Sequence, residues 1–380
     1  MANTLTDVMP KILGRAHLLL RKKLLLPRLV NTDWSDEAAM PGDTIDVPLP
    51  ASYTATDVTP AATPPTPADT TPTKVQIPLS KHKHADFFLA DTDLMKIEKE
   101  KHFLPMQTEA AVDALARIVN TDIFAEYKGV FGYVGTAGTT PFASDITGAT
   151  LSKKTLNRQL CPKGNRRFVL DHDAEANALN LAPFRDASQS ADANVITEGE
   201  VGRKLGFDWF SDDDVPTHTA GTGASATTNN AGYAIGIKTV TLASAGTGTI
   251  LVGDIITFAG HTQTYVVTSG DADVSNGGTI SFYPGLQVAL AASTIAITLK
   301  ASHVVNLAFH REAFAFATRP IADAVRFFKG GSEISSLTDP QTGITLRLEV
   351  MRQYKQTAWD FDISYGVKLV RPELASRLAG

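Results

Sequence analysis

Asp171-His172-Asp173 stands between the apolar run Phe168-Val169-Leu170 and the helix-forming stretch Ala174–Leu181, where a strand hands over to a helix. Enzymes with alternating strands and helices place acids and bases at such points. A helix start with an aspartate N-cap accounts for the same residues and is the preferred reading, with a hydrolase using Asp171 and His172 as the lesser alternative. His82 and His84 flank Lys83 and share one side of an extended chain, as a metal pair would. With no third ligand near in sequence they read as surface histidines at a loop end. Asp271-Ala272-Asp273-Val274-Ser275 resembles the start of a calcium loop, but its glycine comes one position late and Phe282 occupies the place of the bidentate glutamate. A turn is expected there. Asp212-Asp213-Asp214 reads as a solvated acidic hinge before a cation site. Cys161 has Lys163, Arg166 and Arg167 near in sequence, which would lower a thiol pKa; with no base to pair, it is assigned a structural role. His310-Arg311-Glu312 reads as a charge cluster in a turn. No phosphate-binding Gly-Lys-Ser/Thr, no G-x-G-x-x-G after a strand and no G-x-S-x-G occurs. No catalytic residue, metal or cofactor is therefore assigned, and the chain is not expected to be an enzyme.

The elements around these residues say more. A chain of 380 residues allows two or three domains with ample core. No apolar run approaches the ~20 residues of a membrane helix, since Arg21, Lys22 and Lys23 break the longest candidate near Leu18. Lys11 and Arg15 interrupt any signal-peptide core, and a single cysteine, Cys161, fits a reducing cytoplasm. The net charge of −5 implies no general affinity for nucleic acid, but charge is unevenly spread. Residues 1–30 hold Lys11, Arg15, Arg21, Lys22, Lys23 and Arg28 against Asp7 alone, while 211–300 hold six aspartates against Lys238 and Lys300.

Residues 7–26 predict an amphipathic helix with Ile12, Ala16, Leu19 and Leu20 on one face, closed by Pro27. It is either a basic arm for an acidic partner or a helix packed on its own or a neighbouring subunit. Nine of the 20 prolines fall in 41–80. Thr44–Leu49 and Lys74–Leu79 alternate on either side of the Thr/Pro-rich Tyr53–Pro72, with Ile45, Val47 and Leu49 facing Val75, Ile77 and Leu79. Proline excludes central-strand roles. The pattern predicts a long two-stranded hairpin whose tip rests on another chain, because an isolated hairpin is marginal in water.

Asp91–Lys128 predict one helix of roughly 35 residues, ~50 Å long, interrupted at Pro105. Its apolar stripe begins at Leu94 and Ile97 and continues through Ala111, Leu115, Ile118 and Asp122, with Ala114 and Val119 beside. Gly129–Thr140 are read as turn. Short helices are expected at Lys153–Leu160 and Ala174–Leu181, and strands at Phe168–Asp171 and Phe207–Phe210. Five β-runs between Tyr233 and Leu299, divided by Gly- and Asn-rich turns, predict a small barrel or sandwich. His303–Ile321 alternate on both sides of His310-Arg311-Glu312 and predict two paired strands joined by a tight turn. A helical run follows, then strands over Ile344–Val350 and Trp359–Leu369, and a final helical turn over Pro372–Leu378.

Three stretches carry a family resemblance: Asp214-Val-Pro-Thr-His-Thr-Ala-Gly221, Asn306-Leu-Ala-Phe-His-Arg-Glu-Ala-Phe-Ala-Phe-Ala-Thr-Arg-Pro320 and Asp362-Ile-Ser-Tyr-Gly-Val-Lys-Leu-Val-Arg-Pro-Glu-Leu-Ala375. They resemble major capsid (coat) proteins of tailed double-stranded-DNA phages, of the podovirus type with an inserted β domain. The order of elements agrees over essentially the whole chain. The resemblance implies an α+β fold of the Hong Kong 97 type. Residues 1–35 would be an N-terminal arm, 36–90 an extended loop, 91–150 the spine helix and peripheral domain, and 151–216 the first axial part. Residues 217–302 would be an inserted all-β barrel or sandwich, 303–355 the second axial part and 356–380 the last peripheral strand. It implies pentamers and hexamers of copies of the chain in an icosahedral virion shell, built in the host cytoplasm. Scaffolding protein and portal are implied partners, with a possible decoration protein and non-specific contact with packaged DNA; a membrane is not. On this reading Tyr53, Val58, Pro64 and Pro65 form a subunit interface, and Lys11, Arg15, Arg21, Lys22 and Lys23 face interior scaffold or DNA. Phe309, Phe314 and Phe316 anchor the insertion. The alternative is a phage or bacterial surface protein that binds a ligand through the β insertion.

Overall fold

The computed structural model describes residues 9–33, 44–50, 55, 57–58, 60, 73–90, 106–186, 199, 201–319, 332–338 and 344–380. Helices α1 (Met9–Lys23) and α2 (Leu26–Leu29) precede strands β1 (Thr44–Leu49), β2 (Thr73–Pro78) and β3 (Lys81–Ala90). Then come helix α3 (Met106–Ala125), β4 (Gly132–Gly135), α4 (Thr147–Arg158), β5 (Arg166–Leu170), α5 (His172–Asn180), α6 (Ala182–Arg185), β6 (Arg203–Lys204), β7 (Phe207–Ser211) and β8 (Thr217–His218). Five strands follow: β9 (Thr239–Thr241), β10 (Ile255–Phe258), β11 (Tyr265–Ser269), β12 (Thr279–Tyr283) and β13 (Ile297–Leu299). The chain ends with β14 (His303–His310), β15 (Phe314–Arg319), β16 (Ser332–Thr338), β17 (Thr345–Gln353), β18 (Gln356–Leu369) and β19 (Ala375–Ala379).

The alternation over Trp359–Leu369 becomes the 14-residue β18, which organises the first sheet. Along one edge it pairs β3; its first half also pairs β17 and its second half β15. Period two sends Trp359, Phe361, Ile363, Tyr365, Val367 and Leu369 to the buried side. Helix α3 covers that side with Val112, Leu115, Ala116, Val119, Ile123 and Phe124. Three polar ties fix it there: Tyr365 Oη donates to Asp122 Oδ2 (2.5 Å), Lys81 Nζ meets Asp122 Oδ1 (2.8 Å), and the Leu369 amide donates to Glu126 Oε2 (3.0 Å). The expected stripe is rotated, since Ile118 is 36% exposed and Ala114 exposed, while Val112 and Ala116 are buried. Residues 91–105, including Leu94, Ile97 and Pro105, lie outside the described residues, as does the expected helical run after Ile321.

Helix α1 forms as predicted but ends at Lys23, and Pro27 sits in the first turn of α2 rather than closing α1. Its face Ile12, Leu13, Ala16 and Leu20 joins the same core, and it packs on α3, β16 and β17 of its own chain.

A second sheet has the order β4-β19-β14-β5-β7-β6, with β8 pairing the start of β14. One expectation fails here and a second holds only in part. Gly129–Thr140 contain β4, which runs parallel to β19. From Pro372 only one 3-10 turn forms before β19, which is buried along its whole length. Both segments are too short to show a period, and their partners are remote in sequence.

The largest correction concerns His303–Ile321. β14 and β15 are strands, but they do not pair with each other. β14 belongs to the second sheet, between β19 and β5, and β15 to the first, beside β18. The 3-10 turn Arg311–Ala313 carries the chain from one sheet to the other, with His310 Nδ1 accepting from the Glu312 amide at 3.3 Å. Alternation predicts a strand; it does not choose the partner.

Strands β9–β13 make a third sheet, antiparallel throughout, in the order β13-β10-β11-β12-β9. It has its own apolar cluster, including Val240, Ile256, Phe258, Tyr265, Val267, Ile280 and Phe282. We call it the β lobe. The strands are shorter than the predicted runs, and isolated bridges such as Tyr233↔Leu290 and Thr227↔Ala296 extend the pairing.

Candidate contact surfaces and a buried polar joint

The hairpin forms in the predicted way. Ile45 pairs with Ile77 and Val47 with Val75, while Leu49 meets Thr73 rather than a third apolar partner. Ile45, Val47, Ile77 and Leu79 pack on Ala315, Ala317 and Val370. This explains the small residues of β15: Phe314 and Phe316 face the main core, and the intervening alanines leave room for the hairpin on the other side. Gly366 is required where the hairpin crosses β18, since a Cβ would lie 2.5 Å from the Pro78 carbonyl oxygen. The opposite hairpin face is polar, with Lys74 Nζ 2.6 Å and Gln76 Nε2 2.9 Å from the Asp46 carboxylate. Those contacts hold Asp46 below the usual carboxylate pKa. Beyond the base, Val58 is 94% exposed; Tyr53, Pro64 and Pro65 lie outside the described residues.

Of the basic N-terminal residues, Lys23 pairs with Asp113 of α3 at 2.7 Å and Arg15 is half-buried. Nothing is described of the side chains of Lys11, Arg21 and Lys22. Buried His17 places Nε2 3.2 Å from the Ile344 carbonyl oxygen, tying α1 to the first sheet.

The residues with chemical potential are mostly bound up in local structure. His82 and His84 are in β3, not at a loop end, beside Asp362 (3.2 Å) and Asp360 (3.4 Å) of β18. Asp362 is already held by the Arg347 guanidinium, and no group of three metal-binding side chains occurs among the described residues. His172 Nε2 lies 2.7 Å from Asp213 on the surface. Asp171 takes the N-cap position of α5 without a side-chain cap bond; its amide donates to Asn306 Oδ1 at 2.7 Å. Asp212 is only 8% exposed, so the acidic hinge is not solvated there. Burial raises its pKa, and the Asp214 and Asp213 charges add to this. Burial likewise pushes the Cys161 thiol up despite nearby Arg166, so the thiolate that basic neighbours promised is disfavoured. Asp273 accepts from the Ser275 amide (3.0 Å) and hydroxyl (2.6 Å), which makes 271–275 a self-capped turn.

Phe309, Phe314 and Phe316 are buried, with Phe309 edge-on to Phe314 at 5.3 Å. They hold the joint between the two large sheets. The β lobe joins at the other end of β14, ~20 Å away at the strand rise.

That joint is polar, and sequence patterning gave no sign of it. Tyr127 Oη donates to His218 Nδ1 at 3.0 Å, and His218 Nε2 donates to Asp254 Oδ1 at 2.9 Å. Asp254 also accepts from the Leu251 amide (2.7 Å) and the Gly221 amide (3.1 Å to Oδ2). A Cβ on Gly221 would meet the Thr249 carbonyl oxygen at 2.3 Å, so only glycine lets its amide reach the carboxylate. Arg377 of β19 is 0% exposed. Its Nη1 donates to the Gly253 carbonyl at 2.9 Å, and its guanidinium lies 4.9 Å above the Tyr127 ring. Burial lowers its pKa to about 9, opposed by Tyr127, Asp254 and Tyr133, which leaves it charged at neutral pH. Burial raises the Tyr127 pKa, so its hydroxyl stays a donor. His303 packs edge-on to Tyr133 at 5.2 Å and against His218 at 5.3 Å. The body thus supplies Tyr127, His218, His303 and Arg377; the lobe supplies Asp254 and backbone. The histidines are far apart in sequence, and Arg377 lies in a segment expected to be helical, so no spacing signal joined them.

No protein-family model and no curated protein matches the chain. Solved structures do. The chain is similar to a structure of Mycobacterium phage Che8, with TM-score 0.52 and 13% identity over 93% of this chain and 90% of that one. It is also similar to the capsid structure of the cyanophage P-SCSP1u, with TM-score 0.50 and 12% identity over 94% and 88%. At such identities the likeness is one of fold: over nearly its whole length, the chain has the architecture of a phage capsid protein.

Proposed function

We propose that the chain is the major capsid protein of a tailed phage with a double-stranded DNA genome, a structural protein rather than an enzyme. The observation that supports this most is the fold shared with a capsid structure over 94% of the chain. On this reading the fold is of the Hong Kong 97 type, with α3 as spine and the β lobe, within residues 217–302, as an inserted domain; β8, at the start of that range, pairs with the body. Copies of the chain form pentamers and hexamers through head-to-tail contacts that close as rings, and many modest contacts sum to a stable shell. The hairpin is the extended loop, its base docked on β15 and its tip, with Tyr53, Val58, Pro64 and Pro65, resting on a neighbouring copy. The near-complete exposure of Val58 in the single chain suits a residue that is covered only on assembly. The basic side of α1, with Lys11, Arg15, Arg21 and Lys22, faces the interior, where contacts with packaged DNA would be sequence-blind and salt-sensitive. Lys23, already paired with Asp113, contributes less. A scaffolding protein, a portal and possible decoration proteins complete the assembly, which forms in the host cytoplasm.

Deleting residues 53–72 tests the loop. The expected result is soluble, folded protein that gives no regular shells in electron micrographs. Normal particles from the deletion variant would remove the hairpin from the assembly contacts.

A further inference from the structure

His303 occupies a place in the buried joint that tolerates only its neutral form. Its Nδ1 lies 2.8 Å from the Ala301 carbonyl oxygen. A carbonyl only accepts, so Nδ1 carries the ring proton. Its Nε2 is buried and has no partner. A proton added there would create a buried N–H without an acceptor, at a cost of roughly 1–3 kcal/mol or more for a charged group. It would also add a positive charge beside another. Arg377, in the same joint, is fully buried, and its Nε and Nη2 have no partner either.

The groups around the ring come from every element packed there. β4 gives Tyr133, and Lys300 lies 5.8 Å above that ring. β8 gives His218, the turn after α3 gives Tyr127, and β19 gives Arg377. The lobe gives one anion, Asp254, whose oxygens are committed to His218, Gly221 and Leu251. The two parts keep separate apolar cores. Between them lies a smaller apolar contact, where Phe131 meets Ile255 and Val266. Opening the joint therefore exposes little of either core.

We propose that the joint is an acid-released latch, in which protonation of His303 frees the β lobe to move on the body while both keep their folds. The burial that holds the His303 pKa near 4 agrees with this sign. Once the joint opens, the ring regains its ordinary proton affinity, so falling pH drives opening. The device requires no partner and does not depend on the capsid reading.

The test is amide hydrogen exchange on the full chain at pH 7 and pH 5, each corrected for the intrinsic pH dependence of exchange. The amides of Gly221 and Leu251, both donors to Asp254, should open roughly 20-fold more at pH 5, from linkage between a pKa near 4 closed and 6.5 open. Val240 and Phe282 in the lobe core, and Phe168 in the body, should not change. His303→Gln should abolish the pH response. Should that variant not fold, Asp254→Asn supplies the second arm, because it must open the joint already at pH 7. Equal joint protection at both pH values in the native chain would overturn the proposal. So would a full pH response in His303→Gln, or a closed joint at pH 7 in Asp254→Asn.

Discussion

β14 is held at its two ends by opposite chemistry. At its C-terminal end Phe309 meets Phe314 edge-on, and Phe316 lies 5.8 Å from Tyr365, in a junction built mainly on apolar area, with buried His310 and Arg166 at its margin. At its N-terminal end His303 enters a joint of buried charges, a His–Asp pair and a guanidinium over a tyrosine ring. Apolar contact is non-directional and indifferent to pH. A buried polar network is strong only while every member keeps its protonation state and partner. The two large sheets are thus joined mainly by contact that is indifferent to pH, with His310 the exception, and the β lobe mainly by contacts that depend on protonation state.

Phe314→Ala should have the largest effect, ~3–5 kcal/mol lost in denaturant unfolding, with both large sheets affected. A loss below ~1 kcal/mol would mean the ring is not the core of that junction. Next comes the pH dependence of stability. The folded pKa of His303 lies below its ordinary 6.5, near 4, so the folded chain binds fewer protons than the unfolded one. The stabilisation is present above pH 6.5 and is lost as the pH falls towards 4, by roughly 3 kcal/mol in total. Urea titrations across this window should show that loss, and His303→Gln should reduce it, leaving the smaller part due to His310, whose pKa burial also lowers. A native profile that is already flat would show that His303 does not make the lobe joint depend on pH.

Ala317→Leu probes the small-residue face of β15. It should cost ~1–3 kcal/mol by overpacking the hairpin base, with exchange rising at Ile45 and Ile77 and not in the β lobe. Lys74→Ala should change stability by less than ~1 kcal/mol, because its ion pair with Asp46 is exposed. A larger effect would show that the polar hairpin face carries structure of its own.

What the sequence made legible follows from this contrast. Where one face of a strand or helix is buried, the period is written in the chain. β18, β17, the hairpin and α1 were readable for that reason, and so was the α+β class. Partner choice was not. Nothing local to β14 and β15 says that one pairs β19 and β5 and the other β18. The stripe of α3 was misplaced because Ile118 is apolar yet exposed, and Asp122 sits by the core to receive Tyr365 and Lys81. The polar joint was invisible, since His218, Asp254, His303 and Arg377 meet only through the topology. The exposure of Asp212 was misread because sequence neighbours show charge but not burial.

The most direct test of the central claim is negative-stain microscopy of the full chain, expressed alone and with a candidate scaffolding protein. The capsid reading predicts closed icosahedral shells of uniform size in the presence of scaffold. Protein that stays monomeric or forms small oligomers under both conditions, as read in parallel by light scattering, would contradict it.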